Sequence, residues 1–217
     1  MLILLPLNSF ADKGSEKDSI EARYAYTMGY RIGQMLKAQG FKQLDNQNFF
    51  DAIDDVLQGN NPRLDEVEMN DAVASFQKHL KAQRKNDGKA NLIEGMAFLE
   101  KNRSKPGVME MASGLQYEIL TPASGLQPGL NDTVEVHYHG SLINGDVFDS
   151  SLIRGKPVEF ELKGVIPGFS EALINMHTGE KWRIFVPASL GYGEQGIKGS
   201  IGPNEVLIFD IELLAIK

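Results

Sequence analysis

At Pro106-Gly107 the spacing of apolar residues changes, and that change limits what the chain can fold into. Before it, apolar residues recur every three or four positions, the period of a helix with one buried face. After it they recur every second position, the period of a half-buried strand. The two periods do not alternate along the chain, so repeated βαβ units are excluded. An α+β reading follows: helices first, then an antiparallel sheet. Most of the 22 glycines lie in the second part, as the turns of such a sheet require.

Three helical stretches precede the switch. In the first, Ile20, Tyr24, Met28, Ile32 and Met35/Leu36 share a face, Ser19 is placed as N-cap and Gly40 as terminator. Gly29 and Gly33 also share a face there, which would let another backbone approach closely. A second helix carries Phe49, Phe50, Ile53 and Val56/Leu57, starts near Asp45 or Asn46 and ends at Gly59. Two helices this short bury little alone and need the rest of the chain or a second copy. The third starts near Leu64-Asp65 and runs through Met69, Val73, Phe76 and Leu80, loses its apolar face across Lys81–Lys89, then regains it at Leu92/Ile93, Met96 and Leu99. That gap reads as a solvent-exposed stalk or, alternatively, as a loop between two helices.

Five strands are predicted after the switch: 115–119, 133–139, 158–162, 181–186 and 206–213. Between the third and fourth, only Phe169–Met176 has helical spacing. It suits a short helix covering one sheet face.

Composition and motifs remove several functions. With no cysteine, disulfides, thiolate metal sites and a cysteine nucleophile are excluded. The net charge of −7 falls almost wholly after residue 110, which argues against a nucleic-acid surface. Gly191-Tyr-Gly-Glu-Gln-Gly196 matches a dinucleotide fingerprint in letters, yet Ile197–Pro203 cannot form the helix that receives the pyrophosphate. His137 and His139 point to one strand face without a third metal ligand at a useful offset, and no serine stands in a nucleophile elbow.

What remains is a set of aromatic and branched residues at strand ends and in loops. The segments Val136-His-Tyr-His-Gly140, Gly145-Asp-Val-Phe-Asp-Ser-Ser151, Val165-Ile-Pro-Gly-Phe-Ser-Glu-Ala172, Gly191-Tyr-Gly193 and 207–213 resemble, in order and separation, the FKBP family of peptidyl-prolyl isomerases. The upstream part resembles its bacterial macrophage infectivity potentiator (Mip-like) group, through Gly95–Glu100 and Lys105-Pro-Gly-Val108 leading into Ser113–Tyr117. The resemblance implies a helical dimerisation module over 12–63, a long linker helix over 64–105, and over 106–217 a curved antiparallel sheet wrapped around a short helix. It implies a proline-binding cleft with Tyr138, Asp149 and Tyr192 in catalytic roles and Phe148, Phe160, Val165, Ile166, Phe169, Ile201 and Phe209 binding substrate. No metal or cofactor is implied.

Partners implied in the same way are unfolded or proline-containing polypeptides, a second copy of the chain, and macrolide inhibitors of the rapamycin type. Phe169 departs from the family, whose cleft floor is usually Trp; Trp182 lies outside the motif, and Ile197 stands where some relatives carry His. Asp149 would orient the substrate carbonyl's surroundings, directly or through Tyr138, or else serve as a turn-stabilising carboxylate. A non-covalent cleft suits the chemistry. X–Pro rotation must break amide resonance, a barrier of about 18–20 kcal/mol, and the twisted amide has less charge separation than the planar one. A dry aromatic surface therefore favours it. The rival reading is a holdase or binding module with a vestigial pocket.

Met1–Leu7 is apolar but far shorter than the roughly 20 residues a membrane helix needs. With Ser9-Phe10-Ala11 it reads as a truncated secretory signal (1–11) without its basic region, cut after Ala11, which predicts a periplasmic or exported protein. A loose apolar tail on a cytoplasmic protein is the alternative.

Overall fold

A computed structural model describes residues 19–41 and 43–217. The expected signal remnant at 1–11 and the start at Asp12 lie outside the described residues. Two compact units make up the chain, one ending at Asp51 and the other beginning at Ala52.

Helix α1 spans Ile20–Ala38, with the Ser19 side chain accepting the Ala22 N–H at 3.0 Å. Gly40, at φ +93°, ends it, and the Phe41 N–H returns to the Leu36 carbonyl. Helix α2 spans Asn46–Gln58, with Asp45 accepting the Asn48 N–H at 3.1 Å, and stops at Gly59 with φ +72°. No residue of α1 or α2 is buried. Tyr24, Met28, Tyr30 and Met35 are exposed on α1, as are Phe50, Ile53, Val56 and Leu57 on α2. Among the described residues nothing stands within 4 Å of a β-carbon on Gly29 or Gly33, so none of them makes the close approach those glycines would permit.

Helix α3 is continuous over Glu66–Asn102. Asp65 and Glu68 form a reciprocal capping box at its start, with bonds of 2.8 and 2.9 Å. The loop alternative at Lys81–Lys89 is therefore overturned. The stalk reading needs correction on one side: Gly88, Gly95 and Asn102 are buried. Together with Arg84, Asn91 and Phe98 they fall at alternating spacings of four and three and form a docking row. Its members are glycine, amide and charge for the most part, so a reading of apolar periodicity passes over it.

The sheet follows in the order β1-β2-β6-β7-β3-β4, with β5 paired to β3 beside β4 and every pairing antiparallel. The strands are β1 Val108–Glu110, β2 Gln116–Thr121, β3 Thr133–Leu142, β4 Val147–Ser150, β5 Val158–Glu161, β6 Lys181–Val186 and β7 Leu207–Ile216. All five expected strands are present. The two additional ones, β1 and β4, have three and four residues. Along β3 every second residue from Val134 to Leu142 is buried. That inner face meets α4, Pro167–Asn175, whose Phe169, Ala172 and Leu173 enter the core with Ile184, Leu207, Ile211 and Leu213. Proline at the first helical position of α4 gives up no hydrogen bond, because the first N–H groups of a helix have no partner within it. Trp182 is buried in β6, belongs to the same core as Phe169 and stacks on Tyr117, ring centroids 4.4 Å apart.

Candidate active site

Alternation along β3 and β7 sends Tyr138 and Phe209 inward, and α4 presents Phe169 to both. Phe169 is 4% exposed and lies at the centre of the aromatic group. Its ring centroid is 5.2 Å from that of Phe209, 5.8 Å from Phe160 and 6.0 Å from Tyr138, all near edge-to-face. Phe148, on β4, stands edge-on to Phe209 at 5.4 Å. Edge-to-face pairs of this kind are at their favoured geometry. Ile201 belongs to the same core, and Val165 and Ile166 pack against it. Ile166 caps α4: its carbonyl accepts the Phe169 and Ser170 N–H groups, while its own N–H lies outside the helix ladder.

At the edge of this group the Tyr138 hydroxyl donates to the Asp149 carboxylate. Arg154, absent from the residues expected from sequence, completes the arrangement. It forms an ion pair with Asp149, donates to the Tyr138 oxygen at 2.9 Å and lies over the Tyr138 ring at 5.6 Å. Burial opposes the charge on Asp149, but the hydrogen bonds from Tyr138 and Arg154 outweigh it and hold the carboxyl below its ordinary range. For Tyr138, burial and then the bond to Asp149 push the hydroxyl upward, so it stays a donor at neutral pH. Arg154 lies five residues after Asp149, in the turn that follows β4, and no pattern in the sequence marks it as the residue that folds back.

Tyr192 follows the short helical turn Ala188–Leu190 and is 36% exposed. Burial, then the charge of Asp149, raises the pKa of its hydroxyl. Nine of the ten expected residues therefore meet by direct contact or through the core, and Tyr192 stands outside that core. Gly140 was also missed: a β-carbon there would lie 2.7 Å from the Phe148 ring and 2.9 Å from the Phe209 ring. His137 and His139 are turned away from the site toward Ser151 and Ser150, with Nδ1–Oγ distances of 3.1 and 3.0 Å.

Comparison with known families settles where this arrangement belongs. Residues 125–214 match the FKBP-type peptidyl-prolyl cis-trans isomerase family, and residues 21–119 match the domain amino terminal to such isomerases. The chain belongs to the FKBP-type peptidyl-prolyl isomerases. This isomerase is 41% identical over 207 residues to a Legionella longbeachae protein named outer membrane protein MIP, a match covering 94% of this chain and 87% of the other. It is 40% identical over 217 residues to the peptidyl-prolyl cis-trans isomerase Mip of Coxiella burnetii, covering 98% and 94%. Among solved structures, FkpA from Escherichia coli matches with a TM-score of 0.65 and 32% identity over 92% of this chain and 98% of that one. An isomerase from Pseudomonas syringae pv. tomato matches at TM-score 0.57 and 41% identity, covering 59% and 95%. No helix among the described residues is long and apolar enough to cross a membrane.

Proposed function

We propose that the ring group around Phe169 receives the proline of an unfolded or proline-containing polypeptide and accelerates X–Pro rotation without covalent chemistry. The observation that carries this reading is the edge-to-face contact of Phe169 with each of Tyr138, Phe160 and Phe209, with the Tyr138–Asp149–Arg154 group at its edge. Phe148, Phe169, Phe209 and Tyr138 enclose the proline ring, Phe160, Val165, Ile166 and Ile201 complete its walls, and the Ile166 N–H holds a substrate carbonyl. Tyr192 donates its hydroxyl to the carbonyl before proline or a neighbouring one, and Asp149 orients that carbonyl's surroundings through Tyr138. Desolvation then favours the twisted amide over the planar one. The test is turnover of a prolyl tetrapeptide by the full chain. Asp149→Ala and Tyr192→Phe should each lower kcat/KM with the fold intact, and unchanged activity in both removes the polar part of the mechanism.

The exposed apolar side chains of α1 and α2 support a second element of this function: residues 12–63 pair with a second copy, 64–105 act as linker, and 106–217 form the catalytic domain. Two sites on one dimer then act on the same unfolded chain at raised effective concentration, which yields chaperone activity as well as isomerisation. Sedimentation of the full chain at the monomer mass would remove this element. The same exposed residues favour the rival reading, a holdase with a weak pocket, which predicts aggregation suppression that survives Phe209→Tyr together with negligible turnover in the parent. Export to the periplasm, and inhibition by rapamycin-type macrolides, complete the proposal. Recovery of the native protein with spheroplasts instead of osmotic-shock fluid would overturn the former.

A further inference from the structure

The loop between β6 and β7 carries Tyr192 and Ile201, and it is fastened on two sides. Internally, the Asn204 N–H bonds the Gly193 carbonyl at 2.8 Å, and Ile197 and Ile201 exchange backbone bonds of 2.9 Å each. Externally, α3 holds it. Arg84 donates to the Gln195 carbonyl, and the Asn91 side chain donates to the Pro203 carbonyl at 2.9 Å and to Glu205 at 3.0 Å. In return Asn204 donates to the Gly88 carbonyl at 3.1 Å, from the left-handed backbone at φ +58° that asparagine adopts more readily than most residues.

The two buried glycines set the spacing of this contact. A β-carbon on Gly88 would stand 3.1 Å from the Pro203 ring, and one on Gly95 would stand 2.7 Å from Val206 Cγ2. Helix and loop are in van der Waals contact at both points, with nothing between them. Glycine inside a helix is unfavourable on backbone entropy, so its presence at both contact points is explained by the approach of the loop.

We infer that Arg84–Gly95 of α3 is a brace that positions the pocket rim, with Gly88, Asn91 and Gly95 acting as positioning residues for Tyr192 and Ile201. The linker helix is thus a working part of the catalytic site. Coupling is reciprocal: an occupied pocket strengthens the docking of α3, and displacement of α3 loosens the rim. The inference rests on the proposed placement of Tyr192 and Ile201 in the pocket.

The test is tetrapeptide kinetics of the full chain at low temperature, with thermal melting and amide exchange of residues 192–206 measured beside it. Gly95→Ala raises helix propensity, so any loss it causes does not arise from a weakened helix. Gly95→Ala and Asn91→Ala are expected to raise KM three- to ten-fold with a smaller effect on kcat, and to speed exchange at 192–206. Adding Val206→Ala to Gly95→Ala removes the clashing methyl and should restore KM to within about two-fold of the parent, which loss of fold stability alone would not do. Tyr192→Phe and Ile201→Ala report on the pocket itself. If these two lower kcat/KM while Gly95→Ala and Asn91→Ala leave KM and exchange unchanged, the brace is wrong and the pocket stands. If all four leave kinetics unchanged, the pocket reading fails and the brace fails with it. A loss in Gly95→Ala that tracks the melting temperature and is not recovered by Val206→Ala also overturns the brace.

Discussion

The Phe148 ring occupies the space that a side chain on residue 140 would need: a β-carbon on Gly140 would lie 2.7 Å from it. Gly140 is paired with Asp149 across β3 and β4 and with Phe209 across β3 and β7, so the two rings that converge on it come from both flanking strands. Gly140→Ala should push both rings out of their edge-to-face contact. Overpacking of this kind costs about 1–3 kcal/mol. The expected outcome is a folded domain with a lowered melting temperature and at least a ten-fold loss of kcat/KM for a prolyl tetrapeptide. Retention of parental kcat/KM would show that the ring spacing does not govern turnover.

Arg154 is expected to matter through Asp149. The carboxyl of Asp149 lies below its ordinary range, so its charged form contributes stability that is present above the unfolded pKa, about 3.9, and lost as pH falls through the lower folded value. In Arg154→Gln the ion pair and the bond to the Tyr138 oxygen are removed, so the folded pKa should rise towards the unfolded one, leaving a smaller stabilisation at neutral pH whose loss on acidification is complete at higher pH. The acid limb of the pH dependence of kcat/KM should move upward with it, and kcat/KM at neutral pH should fall several-fold. The side chain of Asp149 is 42% exposed, so the gain from the pair is reduced by solvent screening, and the shift in the acid limb is the more sensitive measurement. An acid limb at the same pH in variant and parent would exclude Arg154 from the group.

These residues also show what sequence can and cannot reveal. Strand positions such as Tyr138 and Phe209 are visible because alternation dictates which side chains face the core, and Ser19 and Gly40 because caps and terminators have few chemical solutions. Ring contacts involving Phe169 were reached only through resemblance to a family, since no period links α4 to β3. Arg154 was invisible because its partners, Asp149 and Tyr138, meet it only after the turn closes. The docked row on α3 escaped for another reason: Gly88, Asn91 and Gly95 bind through backbone proximity and amide hydrogen bonds, which leave no hydrophobic period.

Phe169 tests whether the floor of the cleft limits ligand fit. Its ring lies within 6.0 Å, centroid to centroid, of three other rings, and a larger indole would extend the apolar surface toward a bound proline. Phe169→Trp is expected to tighten a rapamycin-type macrolide roughly ten-fold, the equivalent of about 1.4 kcal/mol, provided that the core accommodates the added volume. Melting temperature measured beside the binding titration separates the two effects. A variant that melts with the parent and binds the macrolide no better would show that Phe169 already fills the floor.

Glu205 supplies a pH dependence of opposite sign. Burial, and then the charges of Glu94 and Asp146, raise its pKa above the ordinary carboxylate value, while Asn91 donates to its Oε1 at 3.0 Å. A carboxyl raised in the folded state binds its proton more tightly there than in the unfolded chain. Its contribution to stability is full below the unfolded pKa and is lost as pH rises through the folded one. Glutamine keeps an oxygen that accepts from Asn91 and carries no charge to desolvate. Glu205→Gln should therefore melt close to the parent near pH 4 and above it at pH 7, with the gap opening through the range in which the parent's carboxyl ionises. Equal melting temperatures at both pH values would mean that the folded chain accommodates the Glu205 charge without cost, and a lower one at pH 7 would mean that the charge itself strengthens the bond to Asn91.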